Sequence, residues 1–263
     1  MSPAKRHQRI LEKLRLEGQV RVRELAAEFQ VTEDCIRKDL TLLAEQKKLQ
    51  RIHGGAIPNR ENPHALKVDD RLNLHEAEKK LIARKALEQI APGMTVFLDI
   101  STINLELARL IYESQMEVRV VTNMSGVMKV FSAPSKAELI FLGGTFNHAH
   151  DGFTGAMTIN QIHRFHFDLA FLGTVGINLL EKTISTYDPQ DGLTKQAVLD
   201  QSSQAILVSE KEKLFQEGNY IYARPDCFAG WILEGPLDET ETRQAKEAGL
   251  ELIPAVPAEQ EDA

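Results

Sequence analysis

Four short stretches carry the residue types that hold small anions and polyols. "LDISTIN" (98–104), "VTNMSG" (121–126), "LGGTFN" (142–147) and "LGTVGIN" (172–178) are rich in Gly, Ser, Thr and Asn. Such residues offer backbone N–H groups, hydroxyls and amides. Where a helix starts just beyond, its unpaired N–H groups favour a phosphate. In the first stretch Asp99 would accept hydrogen bonds from sugar hydroxyls, and Ser101 with Thr102 would donate to a phosphate. Asn123, Gly143, Gly144 and Gly173 hold matching places in the other three. Ordinary turns and helix caps have the same composition, so the case rests on four such ends converging. A fifth stretch, "VTEDCIRKDL" (31–40), sets Arg37 and Lys38 side by side next to an apolar stripe. That pair suits either a polyanion or a solvated helix face.

Other reactive side chains are more scattered. Lys195 follows Asp191 by four residues in a helical stretch. The spacing fits an exposed ion pair worth ~0.3–0.5 kcal/mol, or a buried lysine reaching a phosphate. His148 and His150 with Asp151, and His163 with His166, have metal-ligand character, but solvated loops explain them equally well. No nucleophile elbow, P-loop, zinc-protease motif or complete dinucleotide fingerprint is present. The expectation is therefore no catalytic residue, no metal and no cofactor.

The elements that must position these residues can be read from apolar spacing. Ile10, Leu11 and Leu14 share one helical face that ends near Gly18; Leu25, Ala26 and Phe29 mark a second helix; Ile36, Leu40 and Leu43 mark a third. Thr32 is a good N-cap for that third helix, with Glu33 and Asp34 well placed in its first turn. Two such helices across a short turn form a helix-turn-helix. "KLQRIHGGAIP" then reads as a β-hairpin, a wing. Residues 58–74 are polar, contain Pro58 and Pro63, and read as a linker. From residue 75 the pattern alternates: a helix over Ile82–Ile90, a strand at 94–99, a helix at 104–112, strands at 117–123, 137–144, 167–173 and 204–210, and a helix at 125–132. Strands with near-continuous apolar runs between helices predict a parallel sheet covered on both faces, with ligands beyond its carboxyl edge. Residues 75–254 should form this domain, and 255–263 a loose tail.

The chain has 263 residues, 43% hydrophobic and 26% charged, enough for two domains with buried cores. Its net charge of −7 is unevenly spread. Residues 1–56 hold 12 Lys and Arg against 8 Asp and Glu, and the rest holds 19 against 30. A small module for a polyanion on an acidic body fits that asymmetry, as does chance variation in surface charge. No run approaches the roughly 18–20 apolar residues of a membrane helix. Cys35 and Cys227 form no Cys-x-x-Cys pair, and a cytoplasmic location is expected.

The run from Ile10 to Ala56 resembles the N-terminal module of DeoR-type bacterial transcriptional regulators. The likeness rests on Val31-Thr32, on Ile36-Arg37-Lys38-Asp39-Leu40 and on the wing Arg51-Ile52-His53-Gly54-Gly55-Ala56. The remainder resembles the family's sensor domain through "LD" at 98–99, "TN" at 122–123, "LGG" at 142–144, "FDLAFLG" at 167–173 and Lys195. The sequence departs from the family at four places. Cys35 replaces a threonine; Lys47 stands where a glycine usually ends the third helix; Asp99-Ile100-Ser101-Thr102-Ile103 replaces Asp-Ser-Gly-Thr-Thr; and Glu210-Lys211-Glu212-Lys213 replaces Asp-x-x-Lys.

The resemblance implies an α/β protein: a winged helix-turn-helix over residues 1–57, then a Rossmann-like, mostly parallel sensor domain akin in fold to sugar-phosphate isomerases. It implies a double-stranded DNA operator, met by Arg21, Arg23, Thr32, Glu33, Asp34, Arg37, Lys38, Arg51, His53 and Gly54, with Asp39 orienting Arg37 or capping locally. It also implies a sugar phosphate or related metabolite held by Asp99, Ser101, Thr102, Asn123, Gly143, Gly144, Gly173 and Lys195. A homodimer or homotetramer and repression complete the expectation. Two rivals stand beside it: a sugar-phosphate isomerase or deaminase carrying an extra domain, with Asp99 or Asp151 as base, and a constitutive DNA-binding scaffold whose pocket has decayed.

Overall fold

The computed structural model describes residues 2–46, 48–58 and 73–257. The chain divides into two compact units, Met1–Glu61 with Leu214–Glu217, and Asn62–Lys213 with Gly218–Ala263.

The first unit is built on three helices. Helix α1 (Pro3–Glu17) starts from Ser2, whose side chain accepts from the Lys5 N–H, and stops at left-handed Gly18. A two-residue strand β1 (Val20–Arg21) leads into α2 (Val22–Phe29). The turn pivots on Gln30, which is left-handed at φ 54°; a non-glycine there costs roughly 1–2 kcal/mol. Helix α3 (Glu33–Glu45) follows, capped by Thr32 as its sequence predicts. Strands β2 (Gln50–Ile52) and β3 (Gly55–Ile57) form the wing, and the small antiparallel sheet runs β1-β3-β2. Glycine is required at 55, because a Cβ there would lie 2.0 Å from the Val20 carbonyl oxygen. The expected stripes Ile10–Leu11–Leu14, Leu25–Ala26–Phe29 and Ile36–Leu40–Leu43 close one core with Val20, Leu49 and Ala56.

Asp39 departs from expectation. It does not orient Arg37. Two residues on from Arg37 lies the far side of a helix, so Asp39 faces the core and is only 6% exposed. Arg6 of α1 donates to both its oxygens, Nη2 to Oδ1 at 3.0 Å, and His7 Nε2 lies 2.8 Å from Oδ1. Burial pushes the Asp39 carboxyl up, but the hydrogen bonds from Arg6 and His7 outweigh it and hold it below the ordinary aspartate value.

The second unit opens with α4 (Glu76–Leu87), β4 (Thr95–Leu98), α5 (Thr102–Ser114), β5 (Arg119–Thr122), α6 (Ser125–Val130) and β6 (Glu138–Phe141). A hairpin, β7 (Thr145–Asn147) with β8 (Gly152–Thr154), leads to α7 (Ala156–Ile162) and β9 (Phe167–Leu172). Then come β10 (Gly176–Asn178), β11 (Thr183–Thr186), α8 (Pro189–Asp200), β12 (Ser202–Val208), β13 (Tyr220–Ala223), β14 (Gly230–Glu234), α9 (Glu239–Glu247) and β15 (Leu252–Ala255). Seven strands form one wholly parallel sheet in the order β15-β14-β12-β9-β4-β5-β6. Val96, Leu98, Val120, Leu169, Phe171, Ile206, Val208 and Ile232 pack on one face with Ile82, Ala86, Ile103, Leu107 and Val127 of the helices. The alternate residues Phe97, Val121, Ala170, Leu172, Leu207 and Trp231 are buried as well, which is why these strands lack a polar face.

Five of the seven strands fall where the apolar runs predict. The other two, β14 and β15, and the antiparallel sheet β10-β11-β13 were not anticipated, although β14 lies in the apolar run Phe228–Leu233. β15 includes Ala255, where a tail was expected, because its backbone pairs with that of β14. The remaining tail residues 258–263, most of the expected linker (59–72) and Lys47 lie outside the described residues.

Chain order along the sheet reverses between β4 and β9. β5 and β6 extend one way from β4, while β9, β12, β14 and β15 extend the other. In open α/β sheets such a reversal is where ligands bind, beyond the carboxyl ends of the two strands.

Removing one partner of a buried ion pair costs ~3–5 kcal/mol. Asp39→Ala should therefore lower the urea midpoint followed by far-UV circular dichroism, while the fluorescence of Trp231, the chain's one tryptophan, in the other unit, moves little. A carboxyl depressed in the fold takes up its proton more readily when unfolded. Its stability is full above the ordinary aspartate pKa of about 4 and is lost as pH falls below it, so Asp39→Asn should flatten the acid limb of the stability profile.

Candidate functional site

The outward face of α3, the wing and the start of α2 carry exposed charges. Ile36, Asp39, Leu40 and Leu43 are buried, and Arg37, Lys38, Thr41 and Leu42 between them are exposed. Arg21, Arg23, Thr32, Asp34, Arg37, Lys38, Arg51, His53 and Gly54 are all exposed, and Glu33 is half-buried. Thr32 spends its hydroxyl as the helix cap, accepting from the Cys35 N–H at 3.3 Å. Arg37 donates to two carboxylates of the preceding turn, Nη2 to Glu33 at 2.6 Å and Nη1 to Asp34 at 2.7 Å. Arg23 lies 3.6 Å from Glu33, and Arg21 lies 3.9 Å from Glu24. Exposed pairs of this kind contribute only ~0.3–0.5 kcal/mol each.

A residue not singled out in the sequence joins the wing to the helix. Arg51 Nη1 donates to Thr41 Oγ1 at 2.8 Å, and Thr41 donates to the Arg37 carbonyl at 2.8 Å. Thr41 sits one turn beyond Arg37, a spacing that puts it on the same face; only its partner across the hairpin was hidden.

In the second unit the chain-order reversal joins Asp99, Gly173 and Lys195. Asp99 follows β4 and is buried. Its Oδ2 accepts from the Gly173 N–H at 3.0 Å, beyond β9, and from the Lys195 ammonium of α8. Its Oδ1 accepts from Asn104 Nδ2 at 2.6 Å, and that amide also reaches the Phe171 carbonyl at 2.8 Å. Lys195 also lies 3.5 Å from Asp191, whose other oxygen accepts from Thr186 at 2.8 Å. The exposed ion pair expected of Asp191 and Lys195 is therefore replaced by a buried one: both side chains are about 5% exposed. Tyr222 closes the group. Its hydroxyl donates to the Gly173 carbonyl at 3.0 Å, and its ring centroid lies 5.9 Å from Lys195 Nζ.

The charges of this cluster follow from its partners. Burial disfavours the Lys195 ammonium, but Asp191 and Asp99 outweigh it and hold its pKa above the ordinary lysine value. Burial raises the Asp99 carboxyl, and the neighbouring Asp191 adds to it against the pull of Lys195. Burial also pushes the Tyr222 phenol up.

The other expected residues lie around this cluster or apart from it. Ser101 caps α5 by accepting from the Asn104 N–H at 3.1 Å, and its Cβ would come within 2.8 Å of any Cβ built on Gly173. Thr102 is the first residue of α5. Asn123 donates to the Phe153 carbonyl at 2.7 Å, and its Oδ1 is buried without a hydrogen bond among the described residues. Gly143 and Gly144 belong to a different contact. The Gly143 carbonyl accepts from Thr158 and Gln161 of α7, and a Cβ on Gly144 would meet Thr158 Oγ1 at 2.1 Å. Asp151 is held by the Ser125 hydroxyl, His148 packs edge-on against Phe146, and His166 lies 2.9 Å from Ser203 Oγ. Among the described residues no group of three or more His, Cys, Asp or Glu side chains is placed to hold a metal.

An exposed helix-turn-helix with a wing, followed by a parallel α/β unit with polar groups at its switch point, defines a class: a DNA-binding regulator with a sensor domain. Residues 6–62 match the family model of the DeoR-like helix-turn-helix domain, and residues 74–234 match that of the DeoR C terminal sensor domain. The chain belongs to the DeoR family. It is 32% identical to the glycerol-3-phosphate regulon repressor of Escherichia coli (strain K12), over 81% of this chain and 83% of that one. It is 30% identical to the putative aga operon transcriptional repressor of Escherichia coli O157:H7, over 95% and 93%. It is also 30% identical to the transcriptional repressor GlcR of Bacillus subtilis (strain 168), over 81% of each. Among solved structures, a ribose 5-phosphate isomerase A from Methanocaldococcus jannaschii shares 13% identity over 52% of this chain and 54% of that one, with a TM-score of 0.39. Family membership makes this chain a transcriptional regulator rather than an enzyme and sets the isomerase reading aside. No helix among the described residues is long and apolar enough to cross a membrane.

Lys195→Met leaves Asp99 and Asp191 buried without their cation, at a cost of ~3–5 kcal/mol. For a domain of this size the thermal midpoint read from Trp231 fluorescence should fall by roughly 6–20 °C. Adding Asp99→Asn should recover much of that loss.

Proposed function

We propose that the chain represses a carbohydrate-related operon and that a small phosphorylated sugar or related metabolite controls it. The observation that carries the DNA half is the exposure of Arg37 and Lys38 on α3, off the buried Ile36–Leu40–Leu43 stripe and just past a turn. In this reading α3 enters the major groove. Arg37 and Lys38 contact a guanine edge or phosphates, with Thr32, Glu33 and Asp34 at the helix start. Arg21, Arg23, Arg51, His53 and Gly54 follow the backbone. One module makes few contacts, so a homodimer or homotetramer with paired half-sites supplies the specificity, and the protein works in the cytoplasm.

The effector half rests on the cluster at the switch point. Asp99, Ser101, Thr102, Gly173 and Lys195 line the carboxyl ends of β4 and β9, with Asn123, Gly143 and Gly144 on the adjoining strand ends. The similarity to a glycerol-3-phosphate regulon repressor supports a small phosphorylated ligand. Ligand and operator are then linked reciprocally: whatever the effector does to operator affinity, the operator does to effector affinity.

Arg37→Ala should abolish sequence-specific footprints while leaving the circular dichroism unchanged; footprints that persist would remove α3 from the interface. In a thermal-shift panel of glycerol 3-phosphate and hexose phosphates, a true effector at a hundred times its Kd stabilises by about 2.7 kcal/mol. The same compound should release operator DNA. If no compound shifts the midpoint, the effector half fails and the DNA half stands.

A further inference from the structure

The side chain expected to read DNA is already bound. Both terminal nitrogens of Arg37 donate to carboxylates of its own helix, Glu33 at 2.6 Å and Asp34 at 2.7 Å. Arg23 adds a second cation 3.6 Å from Glu33. The Arg37 side chain is half exposed and that of Asp34 is 80% exposed, so solvent and DNA reach them freely. The stability these contacts add is small, so their effect lies in the charge that an incoming duplex meets.

We propose that Glu33 and Asp34 are specificity-determining residues that act through Arg37, admitting it to a base edge and opposing its capture by phosphate. The inference rests on α3 being the DNA-facing helix. A phosphate that approaches Arg37 must displace or sit beside two carboxylates, and like charges at that range repel. A guanine edge presents O6 and N7, two acceptors with no net charge. It can share the guanidinium, which has five N–H donors, without that repulsion. Random DNA offers Arg37 mainly phosphates, and an operator offers the base edge as well. The carboxylates therefore weaken the first complex more than the second, and selectivity comes from a repulsive element set against the wrong partner. Their places in the first turn of α3 are also favourable to the helix dipole, so the same two residues serve the helix start and the choice of contact.

The test compares two duplexes: one selected by the wild-type full-length chain from a randomised pool, and a shuffled duplex of equal composition. Glu33→Gln with Asp34→Asn should raise affinity for the shuffled duplex by roughly tenfold at low salt and steepen its log K against log salt slope by about one to two. Affinity for the selected duplex should rise by less than about threefold, so the ratio between the two falls. Removing two charges elsewhere, Glu239→Gln with Glu251→Gln, should move neither. Asp34→Asn alone, at the most exposed of the two sites, should act in the same direction with a smaller change and unchanged circular dichroism. Shuffled-duplex affinity that stays level, or rises no more than in the distant control, overturns the proposal. So does a loss confined to the selected duplex, which would make the carboxylates acceptors for a base. If Arg37→Ala loses selection while the double variant leaves the shuffled duplex unmoved, this inference falls and the DNA-binding reading stands. If the wild type selects no sequence, both fall.

Discussion

Lys195 holds together the large sheet at the carboxyl ends of β4 and β9. It lies between Asp99 and Asp191 in an apolar interior, and each carboxylate brings further donors: Gly173 and Asn104 on Asp99, Thr186 on Asp191. A buried charge left unpaired is costly, so these groups must be in register at once. The strands β4 and β9, the start of α5, the helix α8 and the hydroxyl of Tyr222 are thereby tied to one point. That point is also where the order of strands reverses, so a buried network of charges sits at the switch point of the sheet.

The first unit uses the same device for a different end. Asp39, on the inward face of α3, binds Arg6 and His7 of α1. The outward face of the helix carries Arg37 and Lys38. Buried ion pairs set where α3 lies, and exposed ones set what it presents. Both occur within three residues of one helix, and only the helical period separates them.

Much of this was legible in the residues, and the exceptions have physical causes. The three helices of the first unit show clean stripes because each buries a single face, and Thr32 and the Gly54-Gly55 hairpin mark their own turns. The first strands of the sheet were visible because burial on both faces demands continuous apolar runs. β15 was not, since Pro254 breaks the run, and a proline in that position is tolerated on the sheet's edge strand. α8 buries Asp191, Gly192, Thr194, Lys195, Ala197 and Val198, which wrap around the helix instead of forming a stripe. Nothing local could therefore tell a buried Asp191–Lys195 pair from a solvated one. Tyr222 enters the cluster from an antiparallel strand of four residues, and its meeting with Gly173 spans 49 positions. Gly143 and Gly144, whose composition suits a ligand loop, also seat α7 through the Gly143 carbonyl and the close approach of Thr158 to Gly144.

The hydroxyl of Thr41 has a consequence for how such a module can diverge. It takes a hydrogen bond from the wing through Arg51 and gives one to the backbone of Arg37. The two parts that would meet adjacent stretches of a duplex therefore share a mechanical joint. Substituting either residue 41 or residue 51 removes a contact of both parts at once, so changes at the two positions would not act independently.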